Sequence, residues 1–208
     1  MTLERNQWRV GVLALQGSVV EHARALRALG ALPVEVKVAS HLQDLDGLII
    51  PGGESTTMYK LARAFDLFDP LKAFVHSGKA IYGSCAGMIM LADHIVDGID
   101  GQETLGGLDV VVRRNAFGRQ VDSAQSFVDP GSFGGDQPLP AVFIRAPWVE
   151  SVGAGVEVLS TWQQTPQSAP RVVAVRQGPL LATSFHPEVT DDLRVHRYFL
   201  NLVKTQSN

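Results

Sequence analysis

The sequence predicts an α/β protein in which a parallel sheet with helices on both faces continues into a mixed or antiparallel half. Short β-rich runs alternate with helical patterns from Arg9 to Leu91, the order expected of βαβ units. The first run, Arg9-Val-Gly-Val-Leu-Ala-Leu15, is almost continuously apolar, as a strand covered on both faces should be. From Leu105 onward, strand-like runs follow one another without long helices between them.

Taken in order, the first strand ends at Gln16-Gly17. Val20, Ala23, Leu26 and Leu29 then recur at helical spacing, with Gly30 and Pro33 as stop signals. Pro33 to Val38 and Leu48 to Ile50 are strands, the second ending at Pro51-Gly52-Gly53, and Ser55 or Thr56 can cap a helix running to about Phe65. Leu67, Leu71, Phe74 and Val75 mark a further helix, Lys79 to Gly83 the central strand, and Ala86 to Leu91 another helix. In the second half Val110 to Val112, Val142 to Ile144, Val156 to Leu159, Arg171 to Val175 and Leu180 to Thr183 are strand-like. Leu193, His196, Phe199, Leu200 and Val203 space a closing helix over 192–203. Asp129 to Pro140, dense in glycine and proline, reads as a surface loop between strands rather than a linker.

With 208 residues, 45% of them hydrophobic, the chain can bury a sizeable core, and 1–208 is expected to form one domain. Lys plus Arg number 18 against 21 Asp plus Glu, and the net charge of −3 leaves no footprint for nucleic acid or an anionic membrane. Small molecules and other proteins are the expected partners. Met1 to Val10 carries no apolar signal core and no stretch approaches the ~18 apolar residues of a membrane span, so a cytoplasmic location is expected. Cys85 is the single cysteine, which rules out an internal disulfide and a cysteine-rich metal site. The reading calls for no metal and no cofactor.

Cys85 sits in Gly83-Ser-Cys-Ala-Gly87, directly after the central strand and directly before a helical pattern. Small neighbours at a strand-to-helix turn are the requirement of a nucleophile elbow, and a helix N-terminus favours a thiolate. The alternative is an inert thiol packed among Ile81, Met88 and Ile89. A cysteine nucleophile needs a base. His22, His41, His76, His94 and His196 lie in helical or loop contexts that fit solvated or core-edge roles. His186 instead follows the apolar run ending at Phe185 and precedes Pro187-Glu188. Proline biases the residue before it toward extended geometry, which puts positions 186 and 188 on the same side, so that Glu188 can orient the imidazole. Pro51-Gly52-Gly53-Glu54-Ser55, at the end of another parallel strand, offers backbone N–H groups for an oxyanion on the same sheet edge.

Together, Gly83-Ser-Cys-Ala-Gly87 and His186-Pro-Glu188 resemble the triad-type class I glutamine amidotransferases. Gly11 to Gly17, Pro51 to Met58, Arg114-Asn-Ala-Phe-Gly-Arg-Gln-Val-Asp122, Phe143-Ile-Arg-Ala-Pro147 and Ser184 to Glu188 are similar, more specifically, to the glutaminase subunits of pyridoxal 5′-phosphate synthase. The resemblance spans about Val10 to Val203. It implies a flavodoxin-like three-layer sandwich with a mixed, mainly parallel central sheet and additional antiparallel strands. It also implies hydrolysis of L-glutamine to L-glutamate and ammonia, with the ammonia passed to a (β/α)₈-barrel synthase subunit in a large hetero-oligomer. Cys85 is then the nucleophile, His186 the base and acid, and Glu188 its orienting partner. Oxyanion donors come from Gly52 and Gly53 and from the elbow N–H of Ala86, and glutamine contacts from Gly53, Glu54, Ser55, Arg114, Ile144 and Arg145. An arginine suits the α-carboxylate of free glutamine and a carboxylate such as Glu54 its α-ammonium.

Ser18, Asp122-Ser-Ala-Gln125 and the 129–140 loop depart from the family's common pattern without touching the triad. Three alternatives stay open: a cysteine hydrolase or peptidase of related fold, a subunit that kept the fold without its chemistry, and a glutaminase serving a different synthase.

Overall fold

The computed structural model describes residues 7–116 and 123–206. In chain order these form β1 (Arg9–Leu13), α1 (Val19–Ala28), β2 (Leu32–Val36), β3 (Gly47–Ile50), α2 (Ser55–Ala64), α3 (Phe68–Val75), β4 (Ala80–Ser84), α4 (Ala86–Leu91), β5 (Ala92–Val96), β6 (Leu108–Arg113), β7 (Ser123–Val128), β8 (Leu139–Ile144), β9 (Trp148–Val152), β10 (Glu157–Trp162), β11 (Arg171–Gln177), β12 (Leu180–Thr183) and α5 (Arg194–Gln206). A 3₁₀ turn over Pro187–Val189 joins β12 to the approach to α5.

The main sheet runs β2-β1-β3-β4-β12-β11-β9-β6-β5, with β10 paired to β11. From β2 to β12 every pairing is parallel; β12 to β11, β11 to β9 and β9 to β6 are antiparallel, and β5 returns parallel to β6. The strands with near-continuous apolar sequence occupy the parallel part, where β3, β4 and β12 are buried at every residue. Their side chains alternate between two cores. Leu48, Ile50, Ile81, Leu180 and Ala182 pack with Met58 of α2, Leu71 of α3 and Met88 of α4 on one face. Ile49, Tyr82 and Leu181 pack with Leu26 of α1, Phe199 of α5 and Phe143 of β8 on the other. Each large apolar side chain so placed contributes about 1.5–3 kcal/mol.

The α/β architecture and the change of character after Leu105 are as the sequence predicts, with differences in detail. β1 stops at Leu13. Val20, assigned to the apolar face of the first helix, is 70% exposed, because α1 turns His22, Ala23, Ala25 and Leu26 inward instead. Neither Ser55 nor Thr56 caps α2: both lie within its first turn, and the longer Glu54 side chain reaches round to accept from Thr56 N–H and Thr57 N–H. β5 and β9 had no sequence signal, since each mixes buried and exposed positions.

β7 and β8 form a separate antiparallel pair, and the 129–140 segment is largely the loop that joins them. Phe133 of this loop inserts into the second core. Arg194 clamps it from outside, donating from Nη1 to the carbonyls of Gly134 (3.1 Å) and Gln137 (2.7 Å) and from Nη2 to that of Pro138 (3.0 Å). Among the described residues no helix is long and apolar enough to cross a membrane.

Candidate active site

Cys85 occupies the single residue between β4 and α4, with φ +48° and ψ −101°. This is a backbone state that a side chain adopts only when its surroundings enforce it, at a cost of about 1–3 kcal/mol. The enforcement is visible. Cys85 N–H donates to Thr183 O of β12 at 2.8 Å. A Cβ on Gly83 would lie 2.5 Å from the Gly87 carbonyl carbon, and one on Gly87 would lie 2.1 Å from Ile50 O. Both glycines therefore let α4 start directly on top of β3 and β4, which forces the sharp turn at Cys85. The thiol is 5% exposed, and its Sγ lies 3.7 Å from the carbonyl oxygen of Ile144 at the end of β8.

His186 leaves the end of the neighbouring strand β12. Its N–H donates to Val142 O of β8 at 2.9 Å, and its Nδ1 lies 2.8 Å from Glu188 Oε1. Residues 187–189 coil into the 3₁₀ turn rather than extend, so proline's bias is not what brings positions 186 and 188 together; the tight turn does. On its other side the imidazole lies against Gly52, where a Cβ would approach Cε1 to 2.1 Å. Burial pulls the His186 pKa down, but hydrogen bonds to Cys85 and Glu188 and the charges of both outweigh it and raise it to about 10. Burial likewise pushes Glu188 up, and the neighbouring His22 and His186 overcome it, holding the carboxyl at about 2. The Cys85, His186 and Glu188 side chains thus form one connected, buried group at the carboxyl edge of parallel strands, where such sheets bind ligands.

The rim is built differently. Glu54 Oε1 accepts from Thr56 N–H (3.1 Å) and from Arg114 Nη2 (2.9 Å), and Oε2 accepts from Thr57 N–H and its hydroxyl, both at 2.8 Å. Glu54 is about half exposed; burial raises its pKa, and the hydrogen bonds from Thr56 and Thr57 together leave it lowered. Ser55 Oγ accepts from Gln102 Nε2 (3.4 Å), and Gln102 Oε1 accepts from Arg114 Nη1 (3.2 Å). Gln16 Nε2 donates to Glu54 O at 2.8 Å and packs over Gly53, whose φ is +154°. Ile144 and Arg145 are exposed, the latter at φ +45°, and no described contact joins Arg145 to the triad or to Glu54. Residues 117–122 of the Arg114 to Asp122 motif lie outside the described residues.

The structure therefore joins Gly52 to His186, Ile144 to Cys85, and Glu54 to Arg114. Gln102, which cross-braces Ser55 and Arg114, carried no motif signal. His22 and His196, expected at a solvated or core-edge position, are instead completely buried (0% exposed) behind the triad. The signal was their place on the apolar faces of α1 and α5, beside Ala23 and Leu26 and beside Phe199 and Leu200.

Comparison with known proteins identifies relatives of the chain over most of its length. The sequence model of the SNO glutamine amidotransferase family matches residues 12–205. The chain is 59% identical to the pyridoxal 5′-phosphate synthase subunit PdxT of Parafrankia sp. (strain EAN1pec), over 95% of this chain and 94% of that one. It is 59% identical to the subunit of the same name of Nocardioides sp. (strain ATCC BAA-499 / JS614), over 93% and 95%. A solved glutamine amidotransferase superposes with a TM-score of 0.84 at 48% identity, covering 94% of this chain and 98% of that one.

Proposed function

The chain belongs to the SNO glutamine amidotransferase family, and we propose that residues 1–208 act as one glutaminase domain that hydrolyses L-glutamine through Cys85, His186 and Glu188. Cys85 gives its thiol proton to His186 as Sγ bonds to the side-chain amide carbon of glutamine, and the carbonyl π electrons move onto oxygen. The backbone N–H groups of the Gly52-Gly53 turn and of Ala86 hold that oxyanion. As the tetrahedral intermediate collapses, the C–N bond breaks and His186 gives its proton to the departing ammonia. His186, now neutral, takes a proton from water as the oxygen attacks the γ-glutamyl thioester, and glutamate leaves with the thiol restored. Glu188 keeps the imidazole in the tautomer that both steps need. Gly53, Glu54, Ser55, Arg114, Ile144 and Arg145 hold the amino-acid end of the substrate.

The observation that supports this reading most directly is the position of His186, whose Nδ1 lies 2.8 Å from Glu188 Oε1 and whose pKa Cys85 and Glu188 together raise to about 10. The similarity to pyridoxal 5′-phosphate synthase subunits supports delivery of the ammonia to a synthase partner; we infer that this partner is a (β/α)₈-barrel subunit in a large hetero-oligomer in the cytoplasm. The test is ammonia release from glutamine by the chain with and without that synthase subunit. Cys85→Ala is expected to lower it by at least roughly 10⁴-fold, as removal of a nucleophile does. Undiminished release from Cys85→Ala would refute the assignment.

A further inference from the structure

Two buried histidines take no part in the steps above. His22 Nδ1 of α1 lies 3.0 Å from His196 Nε2 of α5, while His22 Nε2 lies 3.1 Å from Ser84 Oγ and 3.5 Å from Glu188 Oε1. Tyr82 of β4 presents its ring edge-on to both imidazoles, and the other charged or titratable groups bearing on His22 are His186 and Glu21. Burial lowers the pKa of His22 and brings that of His196, with help from His22, to about 3. Both rings are therefore neutral at ordinary pH, and each carries one N–H.

Proton counting then selects the tautomers. His196 Nδ1 is buried and has no hydrogen-bond partner among the described residues. A hydrogen there would be a buried donor without an acceptor, so it belongs on Nε2, which donates to His22 Nδ1. His22 must then carry its own hydrogen on Nε2, facing Ser84 Oγ and Glu188 Oε1. The opposite assignment orphans an N–H at one end and sets an imidazole lone pair against a carboxylate at the other.

We propose that His22 is a positioning residue: its Nε2–H, oriented by His196, holds the Glu188 carboxylate and the Ser84 hydroxyl beneath the elbow, so that His186 stays aimed at Cys85. This rests on the triad reading given above. Glu188 Oε1 then has two N–H neighbours, and the carboxylate cannot swing about its pairing with His186. Ser84 immediately precedes Cys85, so the same ring touches the supports of both base and nucleophile.

The test is steady-state glutaminase activity in the presence of the synthase subunit, with kcat, KM and the pH dependence of kcat/KM measured separately. His22→Phe keeps a ring against Tyr82 and removes the donor; His22→Gln returns an amide N–H near the Nε2 position. His22→Phe is expected to lower kcat by about 10- to 100-fold with KM nearly unchanged, the scale for a misplaced catalytic group. The basic limb of its kcat/KM profile should move to lower pH, and His22→Gln should recover most of both effects. Should His22→Phe fail to fold, His196→Leu, which leaves His22 in place without its orienting partner, should show a several-fold loss with the same shift of the limb.

A folded His22→Phe with wild-type kcat and pH profile overturns the proposal, as does a loss with an unmoved limb that His22→Gln does not recover. A His196→Leu profile matching the wild type overturns it where His22→Phe does not fold. Cys85→Ala run alongside separates the two levels: if it keeps its activity the triad reading fails, and if it is inactive while the His22 variants match the wild type, only the positioning role fails.

Discussion

The triad and the rim of the site meet in space at the Gly52-Gly53-Glu54 turn and are held by opposite means. Cys85, His186 and Glu188 are buried, fixed by backbone bonds to Thr183 and Val142 and by glycines at positions 52, 83 and 87. Glu54, Arg114 and Gln102 are held by side chains that reach across partly exposed surface. Close partners in a buried setting shift His186 and Glu188 far from their ordinary values, because charges in a low dielectric interact strongly, whereas half-exposed Glu54 is only lowered. The proposed chemistry is thus lodged where backbone bonds and close contacts fix the groups, and the proposed recognition where side chains reach across a partly exposed surface.

Glu188→Gln attacks this contrast on its buried side and should have the largest effect of the substitutions that leave Cys85 intact. We expect about a 10³- to 10⁴-fold fall in kcat, as when the acid behind a catalytic histidine becomes an amide. Because that carboxylate helps to hold His186 at about 10, the basic limb of the pH profile should move downward. Stability should follow the same pair. The part that His186 draws from its partners is fully present below pH 6.5 and is lost as the pH rises through about 10. The part due to Glu188 is present above pH 4.5 and lost as the pH falls through about 2. The gap in thermal unfolding midpoint between wild type and Glu188→Gln should therefore be widest between pH 4.5 and 6.5 and close on either side.

Gly52→Ala reaches the triad from the rim. Its new methyl would stand 2.1 Å from His186 Cε1, so the imidazole must shift, and kcat should fall about 10²-fold. A wild-type kcat would mean that the turn at Gly52 yields instead of the histidine. Arg114→Gln probes the rim alone and should be mildest in kcat. Loss of a charge-assisted contact to the substrate carboxylate should raise KM roughly 10- to 100-fold. Stability should change by less than about 1 kcal/mol, since its partner Glu54 is half exposed. A large drop in the unfolding midpoint would show the rim to be as tightly integrated as the triad.

The same contrast explains what could be read from the sequence. The parallel strands, the elbow and His186-Pro-Glu188 are local patterns, written within a few residues of one another, and were legible. Cross-chain dependencies were not. His22 meets Ser84 across 62 positions and His196 across 174, so its burial depends on α1 and α5 covering the same face of β4. The sequence singled out Glu54 as a partner for the glutamine ammonium but not as a cap, because preference favours shorter side chains and only the geometry of the turn makes a glutamate long enough to close it. β9, with the sequence Trp-Val-Glu-Ser-Val, buries one residue fully and takes its place from β6 and β11 on either side.

The hydrogen bond from the His186 amide to Val142 ties the proposed base to β8, which among the described residues pairs only with β7 and lies outside the main sheet. Ile144, at the end of the same strand, carries the carbonyl beside the Cys85 sulfur. The small hairpin is thus mechanically in series with Cys85 and His186 alike, and the exchange of one backbone hydrogen for deuterium reports on it. That amide should exchange slowly while β8 is docked and rapidly once it lifts, which makes the His186 N–H a built-in gauge of whether the site is assembled.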